Sequence, residues 1–139
     1  MKCYYLFLDD ERVPKDVYRY KDNPLYVEQV WIKAKNYDEF LDKVSERYAE
    51  GYLPCVVSLD HDLAPEHYAL GALTNFREFD ETAVTIPTGW HCLKWYLRFC
   101  DVNDLQLPKI MFHTKNVGGM QNMVALIDEY KFNKHKENG

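Results

Sequence analysis

Three short stretches carry side chains that can do chemistry: Asp9-Asp10-Glu11-Arg12, Asp60-His61-Asp62 and His113-Thr114-Lys115-Asn116. Carboxylates are costly to bury unless paired or bound to a cation. Several meeting in one crevice repel each other, and a divalent metal or shared protons would relieve that repulsion. Asp9, Asp10, Asp60 and Asp62 are therefore candidate metal ligands. Mg²⁺ or Mn²⁺ suits such oxygen donors. His61 and His113 are candidates for a general acid and base, because imidazole titrates near working pH. Asp60 stands beside His61 as a third catalytic candidate. Two histidines on opposite sides of a phosphate also suit a metal-free route, and the sequence leaves both routes open.

Taken singly, two of these stretches have simpler explanations. Asp9-Asp10-Glu11 suits a solvated turn that caps a helix, and His113 suits a core histidine with satisfied hydrogen bonds. Two acids and a histidine directly after a buried strand are harder to explain that way. Thr88-Gly89 and Asn116-Val117-Gly118-Gly119 read as helix entrances, whose backbone N–H groups can meet a phosphate. Arg12 and Lys115 are the cations best placed to offset phosphate charge.

The elements around these stretches must bring them together. Residues 3–8 (CYYLFL) form a continuous apolar run, as a strand buried on both faces does. Residues 25–32 (LYVEQVWI) follow the turn at Asp22-Asn23-Pro24 and are rich in Val, Ile and aromatics, which predicts a second strand. Asn36 opens a helix with Glu39 as its capping-box partner, and the pattern stops at Gly51. Residues 55–59 (CVVSL) and 109–113 (KIMFH) predict the third and fourth strands. Thr88 caps a helix to about Phe99, and Gly119 to Lys131 predicts the last helix. A short helix fits inside residues 12–22. Residues 63–87 show no sustained period and read as a long cover loop, of the kind that is usually functional or mobile. Residues 132–139 read as a polar, frayed tail.

Strand runs alternating with helices predict an α/β fold: a mostly parallel sheet of about four strands flanked by helices. Ligands of such sheets bind outside the carboxyl ends of the strands, where this chain puts its polar stretches. The 139 residues suit a single domain. With 47% hydrophobic residues the chain can bury a core, and with 15% aromatics it is no candidate for disorder.

The net charge of −5 argues against a footprint on extended duplex nucleic acid and leaves room for a small phosphorylated ligand or an RNA end. No apolar run approaches the roughly 20 residues that span a bilayer, and the first residues do not resemble a signal peptide. No membrane association is expected. Cys3, Cys55, Cys92 and Cys100 form no C-x-x-C pair. They read as buried free thiols in a reducing compartment, so a cytoplasmic location is expected.

LFLDDERVP (6–14), SLDHDL (58–63), TG-x5-W (88–95) and HTKN-x2-G-x2-NM (113–123) occur in this order. Together they resemble the cyclic-phosphate processing receiver-like domain family, which looks like a modified response-regulator receiver domain. The resemblance implies a receiver-like (flavodoxin-like) three-layer sandwich. It implies hydrolase-like, phosphoesterase activity on a cyclic phosphate of a nucleotide or RNA end, in RNA repair or nucleotide signalling. It carries site roles to Asp9, Asp10, Glu11, Arg12, Asp60, His61, Asp62, Thr88, Gly89, His113, Thr114 and Asn116. With Lys115, the residues Arg12, Thr88, Gly89, Thr114 and Asn116 make the expected substrate-binding set.

The chain departs from the family pattern at His91, where an acid is expected, and at Val117, where proline is. Its segment between SLDHDL and TG is also longer. Two rival functions remain. A signalling receiver would use Asp60 as phosphoacceptor and Thr114 as switch hydroxyl, but the chain leaves no room for the fifth strand ending in lysine. A non-catalytic binder would keep the pocket alone, as His91 and the aromatic-bearing segment 63–87 suggest.

Overall fold

A computed structural model describes residues 2–138. The element order is β1 (Lys2–Leu8), α1 (Pro14–Lys21), α2 (Leu25–Glu28), β2 (Trp31–Ala34), α3 (Tyr37–Ala49), β3 (Tyr52–Leu59), α4 (Pro65–Ala72), α5 (Gly89–Val102), β4 (Lys109–Phe112) and α6 (Val117–Asn138). The four strands pair in parallel in the order β2-β1-β3-β4. This is the order of flavodoxin-like sheets, short of their last strand among the described residues.

Side chains alternate across each strand, and the two faces bury different partners. Leu6, Leu8, Val57 and Leu59 pack with Phe40 and Val44 of α3, Leu93 and Tyr96 of α5, and Met123 of α6. On the opposite face Phe7 packs with Val17 of α1 and Tyr26 of α2, flanked by Trp31 and Met111. The result is the receiver-like three-layer sandwich expected. Among the described residues no helix is long and apolar enough to cross a membrane.

The second strand differs from the expected span. Residues 25–28 form a helical turn, and pairing with β1 begins at Trp31. The Asn23 side chain accepts from the Leu25 N–H, the Asn23 carbonyl accepts from Tyr26 N–H, and the Trp31 indole N–H donates to the Leu25 carbonyl. That local bonding outweighs the β preference of the residues, and it sinks Tyr26 into the core.

Residues 63–87 were expected to form a loop, but they contain α4. Its eight residues hold Pro65 and Gly71 and bury only His67 and Gly71. So little apolar burial leaves no one-sided stripe to read. The segment is also stitched at both ends. His67 accepts from Leu63 N–H and donates to the Ile86 carbonyl, and the Glu66 carboxylate accepts from Thr85 and Ile86.

The tail does not fray at residue 132 either. Helix α6 runs to Asn138, and Lys134 pairs with Asp101 of α5 at 2.7 Å. Gly139 lies outside the described residues. All four cysteines are free. Cys92 and Cys100 are buried as expected, but Cys3 is exposed and Cys55, at the register shift between β1 and β3, is half-buried.

Helix α3 starts as the sequence predicts, with the Asn36 side chain accepting from Glu39 N–H at 2.9 Å. The Glu39 carboxylate turns back to Lys35 N–H rather than to Asn36. Asn36→Ala is expected to cost about 1 kcal/mol. It should lower the urea midpoint without changing the slope of the transition. An unchanged midpoint would show that the cap contributes nothing here.

Candidate active site

Parallel register builds the centre of the site. Leu8 pairs with Leu59, and Leu59 with Phe112. The ladder continues one residue further: Asp60 N–H donates to the Leu8 carbonyl and His113 N–H to the Leu59 carbonyl, both at 3.0 Å. Asp9, Asp60 and His113 are thereby set side by side, and one ligand atom from each lies within 4.8 Å of the others. All three are fully buried.

Arg12 lies across the two acids. Its Nε is 3.3 Å from Asp9 Oδ2 and its Nη2 is 3.5 Å from Asp60 Oδ2. The turn that delivers it closes on Asp9, whose Oδ1 accepts from the Glu11 and Arg12 N–H groups at 2.9 and 2.8 Å. Arg12 also donates to the Tyr20 hydroxyl, which donates in turn to the His113 carbonyl at 2.7 Å. Lys115 is exposed, and its Nζ rests 4.6 Å over the Tyr20 ring.

The two acids respond to this setting in opposite directions. Burial pushes the Asp60 carboxyl up to about 8, reinforced by the Asp9 charge and opposed by Arg12 and the Thr114 hydroxyl. Burial acts on Asp9 as well, but the His113 hydrogen bond and the two backbone N–H groups outweigh it and hold Asp9 below its ordinary value. Of the two carboxyls, Asp60 is the one whose surroundings favour the protonated form. Burial lowers His113 despite its bond to Asp9, so the ring is neutral.

Asp10 is half-buried, and burial followed by the charges of Asp9 and Glu11 raises its carboxyl. Its Oδ1 and Asp60 Oδ2 have no hydrogen-bond partner. Burial raises the Tyr68 phenol of α4, and the charges of Asp60, Asp10 and Glu11 add to it.

His61 belongs to the other face of the sheet. Its Nδ1 meets Asp62 Oδ1 at 2.7 Å, and its Nε2 meets Glu81 Oε2 at 2.7 Å and Oε1 at 3.0 Å. Burial alone would lower this imidazole. The bonds to Asp62 and Glu81 outweigh burial and raise it to about 9, so it is an imidazolium at neutral pH. The Phe79 ring stands edge-on to it at 4.4 Å. On its other side a Cβ at Gly119 would lie 2.3 Å from His61 Cγ, so only glycine lets α6 seat there.

Thr88 caps α5, accepting from Trp90 N–H, while His91 Nδ1 accepts from Thr88 N–H at 3.0 Å. His91 therefore takes the capping-box role that an acid would have at that position. Gly89 is fixed by close approach, since a Cβ there would lie 1.9 Å from the Asp60 carbonyl oxygen. The Asn116 amide donates to Asp62 at 2.9 Å, and its oxygen accepts from Gly119 N–H at the start of α6.

The predicted residues thus divide. Asp9, Arg12, Asp60, His113 and Thr114 share one centre, with Asp10 and Lys115 at its edge. His61, Asp62, Thr88 and Asn116 form a second network, with Gly89 packed against the Asp60–His61 backbone between the two. The two histidines share no hydrogen-bond partner. His113 stacks on Phe7 and bonds Ser58, both on the α1/α2 face. Asp62, expected among the metal ligands, is hydrogen-bonded to His61 and Asn116.

Sequence reasoning missed Tyr20, Tyr68, Ser58, Glu81 and Asn122. Tyr20 and Asn122 lie on helices that were expected, but nothing marks a polar side chain as inward-facing before the helix is docked. A cleft of about 880 Å³ lies away from the strand ends, along α5 and α6 around Trp90, Lys94 and Trp95. It contains none of the acid–histidine chemistry.

The family model of the cyclic-phosphate processing receiver domain matches residues 4–129. Searches of curated proteins and of solved structures found no match.

Proposed function

The chain belongs to the cyclic-phosphate processing receiver domain family, and from that membership we propose that it hydrolyses a cyclic phosphodiester at the carboxyl ends of β1, β3 and β4. The observation that carries this reading is the fully buried Asp9–Asp60 pair with Arg12 lying across it. Water attacks phosphorus, a ring P–O bond breaks, and the product is a phosphate monoester with a free hydroxyl. Asp60 supplies the proton to the leaving oxygen, a role that fits a carboxyl titrating near working pH. Asp10, half-buried with an unpartnered oxygen, receives the proton of the attacking water. Arg12 and Lys115 meet the non-bridging oxygens. His113 is a positioning residue that holds Asp9, and Asp9 holds Arg12.

A metal-assisted form is favoured by one observation: Asp60 Oδ2 and Asp10 Oδ1 are buried without a hydrogen-bond partner. Asp9 and Asp60 supply oxygen donors of the kind that suits Mg²⁺ or Mn²⁺, while both nitrogens of the neighbouring His113 are already engaged, by Asp9 and Ser58. Such an ion would polarise a phosphoryl oxygen. Arg12 already supplies positive charge at those carboxylates, so the ion would compete with it.

Turnover of 2′,3′-cyclic nucleotides, 3′,5′-cyclic nucleotides and RNA ending in a cyclic phosphate, each with and without Mg²⁺, is the test. At least one substrate should be opened to a monoester. Arg12→Ala should lower kcat/KM for it by about 10- to 100-fold, the range for losing charge-assisted hydrogen bonds. Binding without turnover across the whole panel would identify a non-catalytic binder. A stable acyl phosphate on Asp60 after acetyl phosphate treatment would identify a relay receiver.

A further inference from the structure

Glu81 is a carboxylate from the long segment 63–87, and three side-chain donors converge on it. His61 Nε2 reaches both of its oxygens, the Thr88 hydroxyl donates to Oε1 at 2.8 Å, and Asn122 Nδ2 donates to Oε2 at 2.7 Å. The donors come from three different elements: the end of β3, the cap of α5 and the first turns of α6. Such a set suits a tetrahedral oxyanion as well as it suits a carboxylate, because phosphate oxygens accept the same charge-assisted bonds.

The chain around Glu81 is held loosely. Among the described residues the backbone of 80–84 makes one backbone hydrogen bond, Ala83 N–H to the Asp80 carbonyl, and Thr82 N–H turns to the Asp80 side chain. Asp80, Thr82 and Ala83 are exposed. The Glu81 side chain is therefore the main tie of this stretch to the fold. It also lines a cleft of about 330 Å³ shared with Phe79, Trp90, Asn122 and Leu126, which gives a ligand a route to the three donors.

We infer that His61, Thr88 and Asn122 form a binding pocket for a phosphate oxyanion, that the Glu81 carboxylate fills it in cis, and that a phosphorylated ligand enters by displacing Glu81. The pocket is separate from the Asp9–Arg12–Asp60 centre and does not rest on the hydrolytic reading. Glu81 behaves as a tethered competitor. Its removal raises apparent affinity by the factor that the closed state had withheld.

The probe is inorganic phosphate, measured by calorimetry in chloride buffer. Glu81→Ala and the closer Glu81→Gln should each bind phosphate about tenfold more tightly than the wild type, if the pocket is open about a tenth of the time. Adding Asn122→Asp to either variant should reverse the gain, which ties it to this pocket rather than to Arg12. In the wild type, phosphate should also speed tryptic cleavage after the exposed Arg77, close in sequence to residues 80–84. No gain in affinity in a folded Glu81→Gln protein overturns the inference. A protein that turns over cyclic phosphates without that gain overturns it alone. A protein that shows the gain without turnover keeps it and removes the hydrolase.

Discussion

Asp60→Asn is expected to lower turnover of a cyclic phosphate by about 10² to 10⁴, the usual contribution of a general acid, and to raise stability at alkaline pH. The wild-type carboxyl titrates near 3.8 when free and near 8 in the folded protein, chiefly because it is buried and then because it faces the Asp9 charge. Between those values the folded protein keeps a proton that the unfolded chain releases. Stability from this group is therefore full on the acid side of the window and is lost as pH rises toward 8. Asparagine cannot ionise and keeps that stability throughout.

The melting temperature of Asp60→Asn relative to wild type should accordingly climb between about pH 5 and about pH 8. Asp9 works the other way. Its lowered carboxyl favours the fold above its free value and loses that contribution on acidification, so it does not produce the alkaline trend. Wild-type turnover should also decline above about pH 8 as Asp60 loses its proton. A difference in melting temperature that stays constant across the window would mean that Asp60 does not titrate there. A variant that keeps a tenth of wild-type turnover would remove Asp60 as the acid.

The positions of the acids were legible because each apolar run stops abruptly at a polar stretch, and a parallel sheet aligns such stops. Leu8, Leu59 and Phe112 are neighbours for that reason. The separation of the two histidines was only half legible. Alternation along β3 places Leu59 and His61 on one face and Ser58 and Asp60 on the other, but the face of His113 depends on where β4 ends.

Glu81 left no usable signal. It sits in a stretch with neither helical nor strand period, and its bonds run to His61, Thr88 and Asn122, residues 20, 7 and 41 positions away. Residues 25–32 misled because Val, Ile and Trp favour strands on average. Asn23 and Pro24 favoured a turn more strongly there, and that turn carries Tyr26 to within 2.7 Å of the Ser58 hydroxyl.

That Tyr26–Ser58 bond is part of the chain that makes His113 a structural as well as a functional residue. His113 Nδ1 meets Ser58 Oγ at 2.7 Å, and Nε2 meets Asp9 Oδ2 at 3.0 Å. The ring lies 4.5 Å from Phe7, stacked within 3° of parallel. His113→Ala would leave a cavity against Phe7, a Ser58 hydroxyl bonded to Tyr26 alone and a buried Asp9 carboxylate without its neutral donor. Losing one buried hydrogen bond to a charged group costs about 1.5–3 kcal/mol, and a cavity of this kind adds about 2 kcal/mol or more.

A loss of that size should lower the melting temperature by roughly 10 °C or more, since each kcal/mol shifts a domain of this length by about 3–4 °C. His113→Phe separates the two contributions. It restores the packing against Phe7 but not the bonds to Ser58 and Asp9, so it should recover part of the stability and none of the activity. A His113→Ala protein that melts within about 3 °C of wild type yet turns nothing over would show that the ring acts in the chemistry and not in holding Asp9.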